Sequence, residues 1–165
     1  RFRELGVHAN FTPHWFGGTE FGRAGAITLG PERTQRDELA GTFWRAGANV
    51  TFSSDVTSSD EIPRTNPFVG LEMGMTRRDF AGGVDPDLRP LPQERLTLPQ
   101  ALAAYTSNGA HQLGISNETG SLEVGKKADL VIVSHDPFKV PTRRVHAAVV
   151  DATVLDGKLT AGAFP

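Results

Sequence analysis

Two polar side chains stand where strand-like apolar runs of the sequence stop. Asp55 follows the run VTFSS (residues 50–54), and His14 follows the alternating segment VHANFTP (residues 7–13). Carboxylates and imidazoles exchange protons and hold metal ions in enzymes. Because ligand sites of parallel βα structures lie at the carboxyl ends of strands, both residues are candidates for one site. The structural alternatives stay open: Asp55 could cap a turn, and His14 could be a packed histidine beside Trp15.

Several other chemistries are excluded by residue type or spacing. The chain has no cysteine, which removes thiolate metal sites, disulfides and cysteine nucleophiles. The serines before Asp55 lack a G-x-S-x-G nucleophile elbow, and the glycines form no G-x-G-x-x-G or P-loop pattern. Arg77 or Arg78, in MTRRD, could reach a substrate carboxylate, although arginines after a helix are mostly solvated. Carboxylate, imidazole, hydroxyl and amine chemistry therefore remain.

The elements around the two candidates follow a strand, loop, helix, strand order. Residues 7–13 alternate and end at a proline, and the glycine-rich segment 14–30 predicts a loop that could shape a substrate pocket. Pro31 fits the first turn of a helix that would end at Gly47, and residues 48–54 predict a second strand. This order indicates parallel βα architecture, so we expect the two strands to be parallel.

The remainder of the chain changes from helical to β-rich. Pro67 predicts the start of a short helix, and Thr97 predicts an N-cap whose helical segment is split by SNG at residues 107–109. After residue 115 the chain shows short β-branched runs separated by turns, with an Asp-Gly hairpin signal at 156–157. The last third is therefore predicted to be β-structure.

Composition limits the class of protein. The chain has 165 residues, 38% of them hydrophobic, and a net charge of -2, which gives no basic surface for nucleic acid. Its apolar runs are too short to cross a bilayer, and no charged-then-apolar leader opens it. We expect a cytoplasmic protein that binds neither nucleic acid nor membrane.

Seven segments of the sequence together carry a resemblance to a known family. They resemble the C-terminal part of metal-dependent amidohydrolases, specifically the amidohydrolase-3 group that includes formamide deformylase-like enzymes. The most specific piece, GSLEVGKKADLV, is similar to the family pattern G-x-[IL]-x-x-G-K-x-A-D-[LIV]-[LIV], and SSD resembles the family's S-D ending of the eighth barrel strand. The segments are RFRELGV, TPHW, LGPERTQRDELAGTFWRAGANVTFSSD, NPF, MTR, LTLPQALAAYTSNGAHQLG and TGSLEVGKKADLVIVSHDPF.

The resemblance implies an α/β fold: the last two βα units of a (β/α)8 TIM-type barrel over residues 1–115, and the C-terminal strands of a small β-sandwich domain over 116–165. It implies a divalent metal, usually zinc, and a hydrolase acting on carbon-nitrogen bonds of small amide or formamide substrates. Asp55 would contact the metal and act catalytically by moving a proton. The substrate-binding candidates are His14, Trp15 and Arg77.

The family's other metal ligands have no counterpart in this chain. They come from an H-x-H pair after the first strand, a mid-barrel lysine or glutamate, and histidines after the fifth and sixth strands. The five histidines here show no H-x-H or HExxH. We therefore expect a C-terminal portion that is inactive alone and packs against the rest of its barrel or another copy. The alternative is a truncated, non-catalytic fragment that serves packing or association only.

Overall fold

A computed structural model describes residues 1–56, 58–82 and 91–164 and shows an α/β chain with two small sheets. The strands are β1 (His8–Phe11), β2 (Asn49–Phe52), β3 (Leu130–Val133), β4 (Val150–Leu155) and β5 (Lys158–Gly162). The α-helices are α1 (Glu20–Leu29), α2 (Pro31–Thr34), α3 (Ala40–Arg45), α4 (Pro67–Thr76), α5 (Leu98–Tyr105) and α6 (Ser107–Gln112). Short 3-10 helices span Pro13–Phe16, Ser59–Thr65, Pro92–Glu94 and Thr142–Ala147. None of the helices in these described ranges is both long and apolar enough to span a bilayer.

Strands β1 and β2 pair in parallel, which confirms the predicted arrangement. Their register places His8 opposite Asn49 and Phe11 opposite Phe52. Alternate residues point to one face, so Ala9, Phe11, Val50 and Phe52 lie together and join the hydrophobic core. Helices α3, α4 and α5 cover this face and supply most of the remaining core side chains. The strand ends are therefore held by apolar packing against three helices.

The opposite face of the β1–β2 pair is polar and hydrogen-bonded across the strands. The amide nitrogen of Asn10 donates to Thr51 Oγ1 at 3.0 Å, and Ser53 Oγ donates to Asn10 Oδ1 at 2.8 Å. Thr51 Oγ1 donates in turn to Gln112 Oε1 of α6 at 2.6 Å. These side-chain bonds add to the two strands' backbone pairing and fix the register at their carboxyl ends.

The glycine-rich segment after β1 is partly helical, which corrects the predicted loop over 14–30. Helix α1 begins after Thr19, whose hydroxyl accepts a hydrogen bond from the Gly22 backbone N–H at 3.1 Å. The predicted helix beginning at Pro31 is also interrupted, because residues 35–39 separate α2 from α3 and Glu38 has a φ of 55°. Gly47, with a φ of 74°, follows the last turn of α3 as expected.

The later helices and the tail agree with the sequence. Thr97 and Gln100 form a capping box at the start of α5, and the helical segment breaks at Thr106, next to the SNG triplet. In the tail, β3, β4 and β5 form an antiparallel sheet with the Asp156-Gly157 turn between β4 and β5. The predicted helix at Pro67 is α4. The sequence also predicts a loop over residues 81–96, which are rich in Gly, Pro and Asp, and residues 83–90 of it lie outside the described residues.

The two predicted parts of the chain share packing. Val145 and Ala148, from beyond residue 115, belong to the same hydrophobic cluster as β1 and β2. Glu72, 1% exposed in α4, accepts hydrogen bonds from the His146 backbone N–H at 3.1 Å and pairs with its Nδ1 at 2.6 Å. The segment Thr142–Ala147 is thus tied to α4, and the division at residue 115 stays a prediction.

Candidate functional site

The loops that follow β1 and β2 run side by side. The Ser53 backbone N–H donates to the Phe11 carbonyl at 2.9 Å, and the hydroxyls of Thr12 and Ser53 lie 3.4 Å apart. Because the strands are parallel, both loops leave the same edge of the sheet. His14 and Asp55 therefore lie near one another in space. In the sequence they are far apart, since Trp15, the residue after His14, is 40 positions from Asp55.

Asp55 presents an exposed carboxylate at this edge. The Trp15 indole Nε1–H donates a hydrogen bond to its Oδ2 at 3.1 Å. The Asp55 backbone is in the left-handed region, with a φ of 46°. Non-glycine residues with positive φ are uncommon, and strained residues cluster at active and ligand sites. The structure thus brings two of the predicted site residues into direct contact.

His14 lies in the short 3-10 helix Pro13–Phe16 and is 2% exposed. Its ring centroid is 4.2 Å from that of Trp15, and its Nε2 has no hydrogen-bond partner among the described residues. Burial lowers the pKa of His14 below its ordinary value, and nearby Arg64 also lowers it, while Glu61, Asp55 and Asp79 oppose the shift. At neutral pH the imidazole is accordingly uncharged, and its ring is tilted by 52° against the Trp15 ring.

Arg77 is fully buried behind the strand ends. Its Nη1 donates to the Glu38 carbonyl at 2.7 Å, and its guanidinium carbon lies 4.9 Å from the centroid of the Phe16 ring. Its own φ is 55°, at the residue after α4. Arg77 therefore ties the segment before α3 to the loop of His14 and Trp15, and its substrate-binding role stays a prediction.

An ion pair that sequence reasoning missed lies beside His14. Arg64 Nη2 is 2.7 Å from Oδ2 of Asp79, which is fully buried, and the Arg64 guanidinium stacks 5.5 Å above the centroid of Phe80. Both charges are close enough to shift the pKa of His14. The two residues are 15 positions apart, and no spacing rule links residues at that distance. The signal in the sequence was that Asp79 directly follows the MTRR segment.

The described ranges contain no group of three or more His, Asp or Glu side chains placed to hold a metal ion. Zinc sites use four ligands, of which catalytic sites take three from the protein. Asp55 is of the right chemical type, and His14 has an unpartnered nitrogen, but His14 is enclosed while Asp55 is exposed. By themselves, the described residues do not fit a complete metal site.

Comparisons with known proteins agree on one family. A family model for the amidohydrolase family, of the Amidohydro_3 group, matches residues 1–161. An N-substituted formamide deformylase of Arthrobacter pascens is 40% identical over 115 residues, covering 69% of this chain and 19% of the relative. A 5-methylthioadenosine/S-adenosylhomocysteine deaminase of Moorella thermoacetica is 34% identical over 127 residues, covering 69% of this chain and 26% of the relative.

The solved structures support the same assignment at the level of fold. A zinc-bound adenosine deaminase from Xanthomonas campestris superposes with a TM-score of 0.63 at 23% identity, covering 98% of this chain and 33% of the deaminase. The chain spans 19% and 26% of the lengths of the two relatives above. On the strength of the match over residues 1–161, the chain belongs to the amidohydrolase family.

Proposed function

We propose that this chain is the C-terminal portion of a metal-dependent hydrolase that cleaves carbon-nitrogen bonds of small non-peptide amides or formamides in the cytoplasm. The observation that carries the proposal is the exposed Asp55 carboxylate, held by Trp15 at the carboxyl end of a parallel strand. The family match over residues 1–161 supports the reaction class, and the formamide deformylase relative supports the substrate class.

In this proposal Asp55 moves the proton. Its carboxylate accepts a proton from the attacking water and returns it to the leaving amine, so that one residue serves both steps. Trp15 lies at the same strand edge as Asp55. The predicted substrate-binding roles of His14 and Arg77 stay proposals, and both side chains are buried among the described residues. A bound divalent metal, zinc being the expected one, would lower the pKa of a bound water to about 7. Asp55 would be one of its ligands, and the others would come from outside the described residues.

The proposed architecture is the last two βα units of a (β/α)8 barrel over residues 1–115 and part of a small β-sandwich over 116–165. The parallel β1–β2 pair with its covering helices supports the first assignment, and the antiparallel β3–β4–β5 sheet supports the second. Parallel sheets are normally covered on both faces, and a two-stranded sheet is marginal alone. Further chain is therefore required beside β1 and β2.

The surface of the described residues supports such a partner, either the rest of the barrel or a second copy. A groove of about 1230 Å³ lies between α5, α6 and the antiparallel sheet. Its lining is largely apolar and includes Phe52, Leu102, Tyr105, Leu113, Leu130 and Val154. Two apolar side chains at its rim, Leu113 and Leu122, are more than 70% exposed. Exposed apolar patches of this kind mark interaction sites.

We expect the purified 165-residue chain to self-associate or to unfold without a cooperative transition, because no described residue covers its open strand edges or its apolar groove. Sedimentation velocity and a thermal melt followed by circular dichroism measure the two properties. A monomer that melts in one cooperative transition would contradict the need for a partner.

The second candidate function is a non-catalytic fragment with a packing or association role. The lack of a three-ligand cluster within the described ranges favours it for the isolated chain. The exposed, Trp15-held Asp55 favours the hydrolase for the whole protein. The metal content of the isolated chain and of the whole protein distinguishes the two candidate functions.

We expect the isolated chain to retain less than about one-tenth of an equivalent of metal after dialysis, because a single carboxylate does not hold zinc. The whole protein that carries these residues should retain at least one equivalent and lose it in Asp55→Ala. Elemental mass spectrometry measures both. A whole protein without metal would support the non-catalytic candidate, whereas one equivalent on the isolated chain would mean that it builds a site by itself.

A further inference from the structure

We propose that Trp15 positions the catalytic carboxylate: its indole N–H holds Oδ2 of Asp55 and thereby fixes the direction of Oδ1 as well. This inference rests on the proposed function of Asp55. It gives Trp15 a positioning role instead of the substrate contact predicted from sequence. Trp15 itself carries no proton in the reaction, because an indole N–H is a donor only.

The geometry at Asp55 requires an external restraint. The carboxylate is exposed and its backbone has a φ of 46°, so neither packing nor regular secondary structure fixes its direction. The cross-strand bonds to Asn10 and Phe11 reach as far as Ser53, two residues earlier. Beyond that point, the hydrogen bond that the described residues place on the carboxylate is the one from Trp15, at 3.1 Å. A bond to an ionised acceptor is stronger than a neutral one.

Trp15 is well placed to impose this restraint because its own position is fixed. It lies in a 3-10 helix that begins at Pro13, and its ring contacts the buried His14 ring at a centroid distance of 4.2 Å. Phe16, the next residue, is fully buried beneath the Arg77 guanidinium. The loop after β1 is thus anchored in the core on both sides of Trp15. Asp55, which follows β2, is therefore oriented by its hydrogen bond to the loop after β1.

The consequence for proton transfer follows from geometry. With Oδ2 engaged by the indole, the carboxylate keeps one orientation while it takes a proton from the attacking water and returns that proton to the leaving nitrogen. Loss of the indole donor would let the carboxylate rotate. A misplacement of 1 Å in a reacting group can lower the rate about 10²-fold. An interaction of this kind affects kcat more than KM.

The test uses the whole protein that contains this chain and compares the two tryptophans of the chain, Trp15 and Trp44. Trp15→Phe removes the indole donor but keeps an aromatic ring, and Trp44→Phe, at a half-buried position packed on the core, is the matched control. We expect Trp15→Phe to lower kcat about 10-fold to 100-fold with KM changed less than about threefold. Amine release from a panel of N-substituted formamides and amides is the assay. Replacing Trp15 by benzothienylalanine, which has the indole shape without the N–H, should give the same loss.

A second readout is independent of turnover. In ¹H–¹⁵N spectra, Asp55→Asn should shift the Trp15 indole signal, assigned by its loss in Trp15→Phe, and leave the Trp44 indole signal in place. An unmoved Trp15 signal overturns the inference. So does a Trp15→Phe variant with the kcat of Trp44→Phe, or one in which KM alone rises, since that result assigns Trp15 to substrate contact. A protein that releases no amine, or keeps full activity in Asp55→Asn, instead overturns the proposed function.

Discussion

Asp55→Asn is expected to lower kcat/KM of the whole protein about 10²-fold to 10⁴-fold, the contribution typical of a positioned general acid or base. The amide keeps the size of the carboxylate but cannot accept a proton from water. Asparagine also tolerates the left-handed backbone that Asp55 adopts, with its φ of 46°, so the loop should keep its shape. The loss should therefore appear in catalysis and not in folding.

Asp156→Asn is the matched control for this substitution. Asp156 is also exposed and also has a positive φ, 50°, but it lies in the turn between β4 and β5, away from the candidate site. Steady-state amine release and the thermal transition should be measured for both variants. Equal activity in the two variants would remove Asp55 from the chemistry, and a lowered melting temperature in Asp55→Asn alone would assign the aspartate a structural role.

Gly70→Ala is expected to destabilise the protein by about 1–3 kcal/mol, because a methyl group at this position overpacks a filled core. A Cβ on Gly70, in α4, would overlap the Tyr105 hydroxyl of α5. Tyr105 is half-buried and packs on the core, with its ring 5.3 Å from that of Phe52, and burial raises the pKa of its hydroxyl above the ordinary value. The clash would therefore be transmitted to β2, the strand that precedes Asp55.

Gly109→Ala, in α6, is the matched control because the nearest atom to its Cβ would be 3.9 Å away, an ordinary contact distance. That variant should be neutral or more stable by up to about 1 kcal/mol, since alanine favours a helix over glycine. Denaturant midpoints at constant m-value measure the differences. Tyr105→Phe, which removes the overlapping hydroxyl, should restore part of the stability of Gly70→Ala in a double-mutant cycle. If both glycine variants unfold at the same midpoint, the close packing of α4 on α5 is wrong.

Much of the fold could be predicted because its signals are local. The strand, loop, helix, strand order indicated the parallel pair, and Thr97 and the Asp156-Gly157 turn marked an N-cap and a hairpin that the structure contains. These features depend on residues within a few positions of one another. The glycines of residues 14–30 led to the wrong prediction of a loop for the same reason. Their local pattern outweighed the N-cap signal of Thr19, the residue before α1.

The sequence predicted which positions belong to the candidate site, but it did not predict which side chains contact each other there. The sequence alone determined the family resemblance, the parallel βα order, and that Asp55 and His14 each follow a strand. The tertiary structure decided that Trp15 binds Asp55, that His14 is enclosed, and that Arg77 is turned into the core. The physical reason is sequence separation: these contacts join residues about 40 positions apart, where the sheet register and the helix packing, and no local pattern, set which side chains meet.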